Sequence, residues 1–266
     1  MRKISIINQK GGVGKTTTTI NLAKSLSMQG KKVLILDMDA QGNIAACLGV
    51  ESRKDMFDIL VNSAKPDSCI VEVGENLDLI SSRETLTKAE IILVGEPARE
   101  KTLSRKMKNV KDYDFIIIDC PPSLGLLNQN VLLYSDEVIV PVSTDPLGIY
   151  GLGNIVQAVS KVSEVFNHDL KISMIVPTLY DQRSKVCKEA LRELKKRFPG
   201  LVASPIRVDT KLKEAPRAQQ SIFEYSRSCR GAKDYKALAK SVLNIKEEDA
   251  VPVLSATMMN KASVKS

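Results

Sequence analysis

The residues with the plainest chemical potential lie almost at the start of the chain. In N-Q-K-G-G-V-G-K-T-T, residues 8–17, two lysines bracket Gly11, Gly12, Val13 and Gly14, and Thr16 and Thr17 follow. Polyphosphate chemistry needs such a set. Glycines let successive backbone N–H groups curl around an anion. Lys15 stands where a lysine reaches β- and γ-phosphates, and the Thr16 hydroxyl where it can ligate Mg2+. The spelling departs from G-x-x-x-x-G-K-[ST] at its first position, occupied by Gln9, and adds a second lysine, Lys10. Spacing alone leaves Lys10 open to two uses, beside the phosphates of its own loop or in solvent. Phosphoryl transfer to water also needs an in-line nucleophile, a metal and charge stabilisation. Candidate carboxylates follow apolar runs: Asp119 closes Phe115–Asp119, and Asp37 and Asp39 follow Val33–Leu36. Asp37 and Asp39 are two apart, so they share a face of an extended segment. An Asp at a strand end also makes turns on its own account.

These groups need a platform. Ile4–Asn8 is expected as a strand running into the loop, and Lys15–Gln29 as a helix ended by Gly30. Val33–Leu36, Phe115–Asp119, Val138–Val142, Ile172–Val176 and Leu201–Ile206 are expected as further strands. Helical stretches near Thr85–Val94, Ala98–Val110, Gly151–Val165, Lys185–Arg197 and Lys233–Asn244 fall between them. Several strands are apolar on both faces, which suits a parallel sheet covered by helices. The expected fold is α/β, a doubly wound, mostly parallel sheet flanked by helices. Its phosphate loop would open a helix, whose N-terminus adds partial positive charge.

Composition narrows the class. A chain of 266 residues, 43% hydrophobic and 26% charged, has a soluble balance and length enough for a large core. No apolar run reaches the ~18–20 residues that span a bilayer, and the opening residues are too short an apolar stretch for a signal peptide. Five scattered cysteines without a C-x-x-C pair suggest neither a zinc site nor a disulfide framework. A cytoplasmic setting is expected. The net charge is +8, yet residues 183–246 hold 17 Lys and Arg against 6 Asp and Glu, so the basic character belongs to the C-terminal third. Solvated helix faces and a polyanion-binding surface both account for such a run.

The loop spelling K-G-G-V-G-K-T resembles the deviant Walker A motif of the ParA/MinD ATPases. Asp37-Met38-Asp39-Ala40-Gln41-Gly42-Asn43 is similar to that family's D-x-D-P-Q-G-N, with Ala40 where proline is usual. Ile116-Ile117-Ile118-Asp119-Cys120-Pro121-Pro122-Ser123 resembles its Walker B and second switch. Leu212-Lys213-Glu214-Ala215-Pro216 and Arg230-Gly231-Ala232 resemble its L-S-E-A-P and R-G-A landmarks. Within the family the chain is most similar to the short partition ATPases, ParA/Soj. The resemblance implies a P-loop NTPase with ATP and Mg2+ as cofactors and slow turnover. Residues 1–250 would form a single ATPase domain, and 251–266 a loosely ordered tail. Lys10, Gly11, Gly12, Val13, Gly14, Lys15, Thr16 and Thr17 would surround the phosphates, with Asp37 in support. Thr16 and Asp119 would hold the metal, and Asp39 would position the attacking water. Lys10 would cross to the phosphates bound by a second subunit, so that ATP joins a homodimer; Lys10, Lys15 and Asp39 are then the catalytic set. Adenine contacts would come from Pro177, Thr178 and the Pro205–Asp209 loop with Arg207 and Asp209. The family's P-R-N reads here as Ile206-Arg207-Val208-Asp209.

Partition members of this family bind double-stranded DNA without sequence preference as ATP dimers and are reset by a ParB-like partner. Their D-x-R-T segment reads here Asp181-Gln182-Arg183-Ser184, and their N-V-R-L-S-E-A-P reads Asp209-Thr210-Lys211-Leu212-Lys213-Glu214-Ala215-Pro216. Arg183 and Lys211 are therefore the expected DNA contacts, although lysine lacks the bidentate fork. A nucleoid-associated location follows. The loop begins at residue 8, so no preceding helix-turn-helix and no operator binding are expected. A MinD-like membrane switch would need an amphipathic basic helix with bulky anchors. Val253–Met259 has no aromatic residue and no charge precedes Lys261, so no membrane partner is expected. An iron–sulfur reductase needs a second cysteine in a loop comparable to that of Cys120. A ParA-like ATPase that positions a non-DNA cargo stays open.

Overall fold

The structure, a computed structural model, describes residues 1–245 and the backbone of 251–252. Among the described residues eight strands form one sheet: β1 (Arg2–Ile6), β2 (Val33–Asp37), β3 (Val71–Gly74), β4 (Leu77–Ile80), β5 (Phe115–Asp119), β6 (Glu137–Ser143), β7 (Lys171–Thr178) and β8 (Val251–Pro252). Their order across the sheet is β3-β4-β2-β5-β1-β6-β7-β8. The six central strands are parallel, and β3 and β8 are antiparallel edges. Every residue of β2, β5 and β6 is buried, because helices cover both faces.

Side-chain alternation along β5 divides the core in two. Ile116 and Ile118 face a layer built by α3 (Met56–Leu60), α4 (Leu86–Leu93), α5 (Thr102–Lys106), α6 (Leu126–Tyr134), α7 (Pro146–Phe166) and α8 (Lys185–Arg197). Phe115 and Ile117 face α1 (Lys15–Ser27), α2 (Asn43–Leu48), α10 (Ile222–Tyr225) and α11 (Arg230–Asn244), with the short α9 (Lys211–Glu214) at the margin. No helix among the described residues is long and apolar enough to cross a membrane.

The parallel register decides what the site can contain. Asp37 pairs with Asp119 between β2 and β5, and Ile6 pairs with Asp119 between β1 and β5. Three strands thus end level, with two carboxylates side by side where the loop leaves β1. This is the carboxyl edge at which such sheets take ligands.

The expected strand Phe115–Asp119 and helix Lys185–Arg197 are found with those bounds. The first strand lies two residues earlier than expected. Leu201–Ile206 does not form the expected strand. It meets β7 at an isolated bridge, Ile175 to Val202, and by a bond from the Ile206 N–H to the Pro177 carbonyl at 2.8 Å, and a second bridge joins Tyr180 to Arg207 just beyond both segments. Pro177 and Pro205 lack the N–H groups that a continuous ladder needs. The helix expected over Ala98–Val110 shrinks to a 3-10 turn, Arg99–Lys101, and α5, with Ala98 at a φ of 49° before them. The helix expected from Gly151 starts at Pro146, because Asp145 caps it by accepting the Gly148 N–H at 2.8 Å. The β3–β4 hairpin and α6 were not foreseen. Of the tail expected at 251–266, only β8 falls within the described residues.

Candidate nucleotide site

The loop after β1 is pinned at both ends. Asn8 donates its side-chain amide to the Pro141 carbonyl at 2.6 Å and accepts the Lys10 N–H at 2.8 Å, tying the loop start to β6. Val13 is buried, and its carbonyl accepts a hydrogen bond from the Thr178 hydroxyl at 2.8 Å, tying the loop end to β7. Between them Gly12 and Gly14 have φ of 73° and 89°, a left-handed conformation that side chains disfavour. A Cβ added at Gly11, Gly12 or Gly14 would meet no heavy atom within 4 Å. Gly12 and Gly14 are therefore there for backbone shape, and the space beside the three loop glycines is open. The first turn of α1 has no acidic residue and no side-chain cap. Its leading N–H groups are left for an anion, with the positive end of the helix dipole behind them.

Thr16 and Thr19 are one turn apart on α1 and share a face. The Thr16 hydroxyl donates to Asp119 Oδ2 at 2.7 Å and the Thr19 hydroxyl to Oδ1 at 3.2 Å. Asp119 is buried, and burial pushes its carboxyl up to about 7 against the pull of Thr16, Lys15 and Thr19. Burial, then the neighbouring Asp119, also pushes Asp37 well above the usual carboxylate range. A hydroxyl and buried carboxylates are hard oxygen donors, the set that suits Mg2+, and a dication at this point would favour their ionised forms. Lys15 is buried, its charge close enough to Asp119 to favour the carboxylate. The residues present thus fit a magnesium nucleotide.

Asp39 stands half-buried on the loop between β2 and α2. Its N–H donates to Asp37 Oδ1 at 3.0 Å, and its own Oδ1 accepts the Gln41 N–H at 3.0 Å in a local turn. Asp37 Oδ2 reaches the Ile44 N–H at 3.4 Å, so this carboxylate holds the whole turn together. Lys10 sits on the other side of the loop, where its Nζ lies 3.1 Å from both oxygens of Asp145 and 3.2 Å from the Ser143 hydroxyl.

The remaining expected residues divide. Thr16 and Thr17 line a cavity of about 170 Å³ with Asn43, Cys47, Leu212 and Pro216. Pro177 is buried, and Thr178 is bonded to the loop as described. Pro205 lies in the segment beside β7. The Arg207 side chain is engaged by Asp234 at 2.6 Å, and Asp209 accepts the N–H groups of Gly231 and Lys211 at 2.9 and 3.0 Å. Both side chains thus anchor their segment to α11. Arg183 is 92% exposed and pairs with Asp181 at 3.1 Å. The Lys211 ammonium pairs with Glu214 at 2.8 Å and lies 5.6 Å from the centre of the Tyr225 ring. Four residues that touch the site escaped the sequence reading: Asn8, Thr19, Asp145 and Ser82, whose hydroxyl donates to the Asp39 carbonyl. Thr19 was legible from its i, i+3 spacing to Thr16, and Asp145 from the Asp-Pro pair that opens a helix. Asn8 and Ser82 act through tertiary contacts that leave no local signal.

Residues 1–172 match a protein family described as AAA domain. The chain is 42% identical over 245 residues to the sporulation initiation inhibitor protein Soj of Bacillus subtilis (strain 168), spanning 90% of this chain and 97% of that protein. It is 38% identical over 245 residues to the chromosome-partitioning ATPase Soj of Treponema pallidum (strain Nichols), spanning 91% and 97%. Among solved structures, cobyrinic acid a,c-diamide synthase from Mycobacterium smegmatis with bound ADP and magnesium has a TM-score of 0.79 at 32% identity, over 91% of this chain and 94% of that one. A matching family over most of the sheet, and two Soj proteins alike along nearly their whole length, give one answer: the chain belongs to the AAA domain family and, within it, to the Soj/ParA chromosome-partitioning ATPases.

Proposed function

We propose that this chain is an ATP-driven switch for chromosome or plasmid partition, with residues 1–250 acting as one ATPase domain. ATP with Mg2+ binds at the loop. The backbone of Gly11–Gly14 and the start of α1 surround the phosphates, Lys15 reaches the β- and γ-phosphates, and Thr17 lies alongside. Thr16 and Asp119 hold the magnesium, which neutralises charge on the phosphate oxygens. Pro177, Thr178 and the segment Pro205–Asp209 flank the base. Lys10 leaves its own chain's site and reaches the phosphates held by a second copy, so two copies close on two nucleotides. Asp39 orients the water that attacks the γ-phosphate. The bond Thr16 makes to Asp119 at 2.7 Å, directly after a loop of left-handed glycines, is the observation that carries this reading.

The ATP-joined pair then binds double-stranded DNA through phosphate contacts, which confer affinity without reading sequence. The exposure of Arg183 supports its part in this; a DNA phosphate would compete with Asp181 for its guanidinium. Lys211 contributes less, because it is about half as exposed as Arg183 and lacks the bidentate fork of a guanidinium. A ParB-like partner stimulates hydrolysis and resets the switch in a cytoplasmic, nucleoid-associated cycle without a membrane step. Co-sedimentation with DNA in ATP, in ADP and without nucleotide tests the reading. Retention in ATP alone is expected. Equal retention under all three conditions, or none in ATP, overturns it.

A further inference from the structure

Asp39 stands on a loop, and a loop is a poor platform for a group that must aim one water molecule. Three contacts fix its backbone. Two lie within the motif, the bond from its N–H to Asp37 and the bond from the Gly42 N–H to its carbonyl at 3.0 Å. The third comes from outside the motif: the hydroxyl of Ser82, two residues beyond β4, donates to the carbonyl of Asp39. Ser82 is only 2% exposed, so solvent does not compete for that bond.

The approach of the two segments is built in. At Gly42, with φ of 62°, a Cβ would lie 2.9 Å from the Ser82 carbonyl oxygen, so only glycine lets the Asp39 turn come this close. The strand end that carries Ser82 is itself held. The Ser81 carbonyl accepts the Met56 N–H at 2.9 Å, and the Ser81 and Ser52 hydroxyls are 2.6 Å apart. Rigidity therefore passes from β4 through one hydroxyl to the backbone of Asp39.

We propose that Ser82 is a positioning residue for ATP hydrolysis, fixing the Asp39 turn so that its carboxylate aims the attacking water. This rests on the reading of Asp39 given above. Mispositioning by about 1 Å costs on the order of a hundredfold in rate, so loss of the one tether that ties the turn to β4, with the two inside the motif kept, is expected to lower turnover by about tenfold. Nucleotide affinity should stay within about twofold, since the phosphate loop is tethered elsewhere, to β6 and β7.

The test uses the full chain in single-turnover hydrolysis of γ-labelled ATP, with fluorescent-nucleotide titration in parallel. Ser82→Ala, and Ser82→Cys, which is slightly larger and donates weakly, should both hydrolyse slowly and bind normally. Ser82→Thr, which restores the hydroxyl, should recover most of the rate. If Ser82→Ala does not fold, the Cys and Thr pair decides. Wild-type turnover in the Ala and Cys variants, beside a slow Asp39→Ala, overturns the role of Ser82 alone. Equal losses of binding and turnover, or no rescue by Thr, make Ser82 merely structural and overturn it as well. Wild-type turnover in Asp39→Ala overturns the reading of Asp39, and this inference with it.

Discussion

Lys10 and Asp145, 135 residues apart in sequence, form an ion pair within one chain, with the ammonium 3.1 Å from each carboxylate oxygen. Asp145 also caps α7, so one carboxylate serves both the helix and the lysine. Burial would raise the Asp145 pKa, but hydrogen bonds from Ser143, the Gly148 N–H and Lys10 outweigh it and hold the carboxyl below its usual value. A lysine that must reach a second copy has to leave this partner first. The pair is 40% and 39% exposed, so water screens it and it is worth no more than about 1 kcal/mol. Asp145→Asn, which keeps an oxygen for the Gly148 cap, is expected to strengthen ATP-dependent dimerisation by up to about fivefold per copy, about 25-fold in the dimer constant, because both lysines are released. Lys10→Ala should remain a folded monomer in ATP. Light scattering across a concentration series measures both. A weaker dimer in Asp145→Asn would give the carboxylate a role at the interface instead.

Asp39 offers a separable prediction. Its side chain bonds only within its own turn, while Asp37 holds that turn in place. Asp39→Ala should therefore bind ATP and dimerise but hydrolyse about 10²–10⁴-fold more slowly, the usual scale for acid–base assistance. Asp37→Ala should instead damage folding, because it leaves the N–H groups of Asp39 and Ile44 unpartnered. Thermal melts beside turnover assays tell the two apart. Similar melting losses in both variants would argue that Asp39 is a turn residue only.

Much of this site was legible because its parts are local. Phe115–Asp119 is apolar until its last residue, so both strand and carboxylate could be read. The phosphate loop announces itself through glycine spacing. The remainder depends on pairings far apart in sequence. Asp145 meets Lys10, and Ser82 meets Asp39, only after β6 and β4 are laid into the sheet. The β3–β4 hairpin was missed because each strand is four residues long and alternates with Glu72 and Asp78, a weak signal without β2 beside it. In α6 the buried Asn130 breaks the apolar pattern. Its role is tertiary: its side chain accepts the Leu103 N–H at 2.9 Å and donates to the Arg99 carbonyl at 2.9 Å. Leu201–Ile206 misled because apolar content does not report the donors missing at Pro177 and Pro205.

The proposed DNA surface predicts a salt law. Each neutralised phosphate adds about 0.9 to the slope of log K against log salt. Arg183 and Lys211, each present twice in a dimer, give an expected slope of about −3 to −4. Arg183→Glu should reduce it by about 2 and weaken binding on any duplex, without affecting ATP-dependent dimerisation. Lys211→Glu should do less, since the Lys211 side chain is about half as exposed as that of Arg183. Gel shifts on two unrelated duplexes at several salt concentrations provide the measurement. An unchanged slope in the double variant would move the surface elsewhere, and a preference for one duplex would refute non-specific binding.

Asp209 makes the fold itself pH-dependent. It is 9% exposed and accepts the N–H groups of Gly231 and Lys211, joining the segment beside β7 to the starts of α9 and α11. Burial alone would raise its pKa, but those two donors and the Cys229 side chain outweigh burial, so the folded value lies below the ordinary 3.8. A depressed folded pKa means that, as pH falls, the unfolded chain binds its proton first. The stabilisation is therefore complete above the ordinary carboxylate range and is lost as pH falls through the depressed folded value. At pH 7 Asp209→Ala leaves two N–H groups without their charged acceptor, at an expected cost of about 2 kcal/mol. As the wild-type carboxyl protonates, that gap should narrow. Urea unfolding of both proteins at pH 7, 5 and 3 measures it. A gap that stays constant, or widens in acid, would mean that Asp209 acts through packing rather than through its charge.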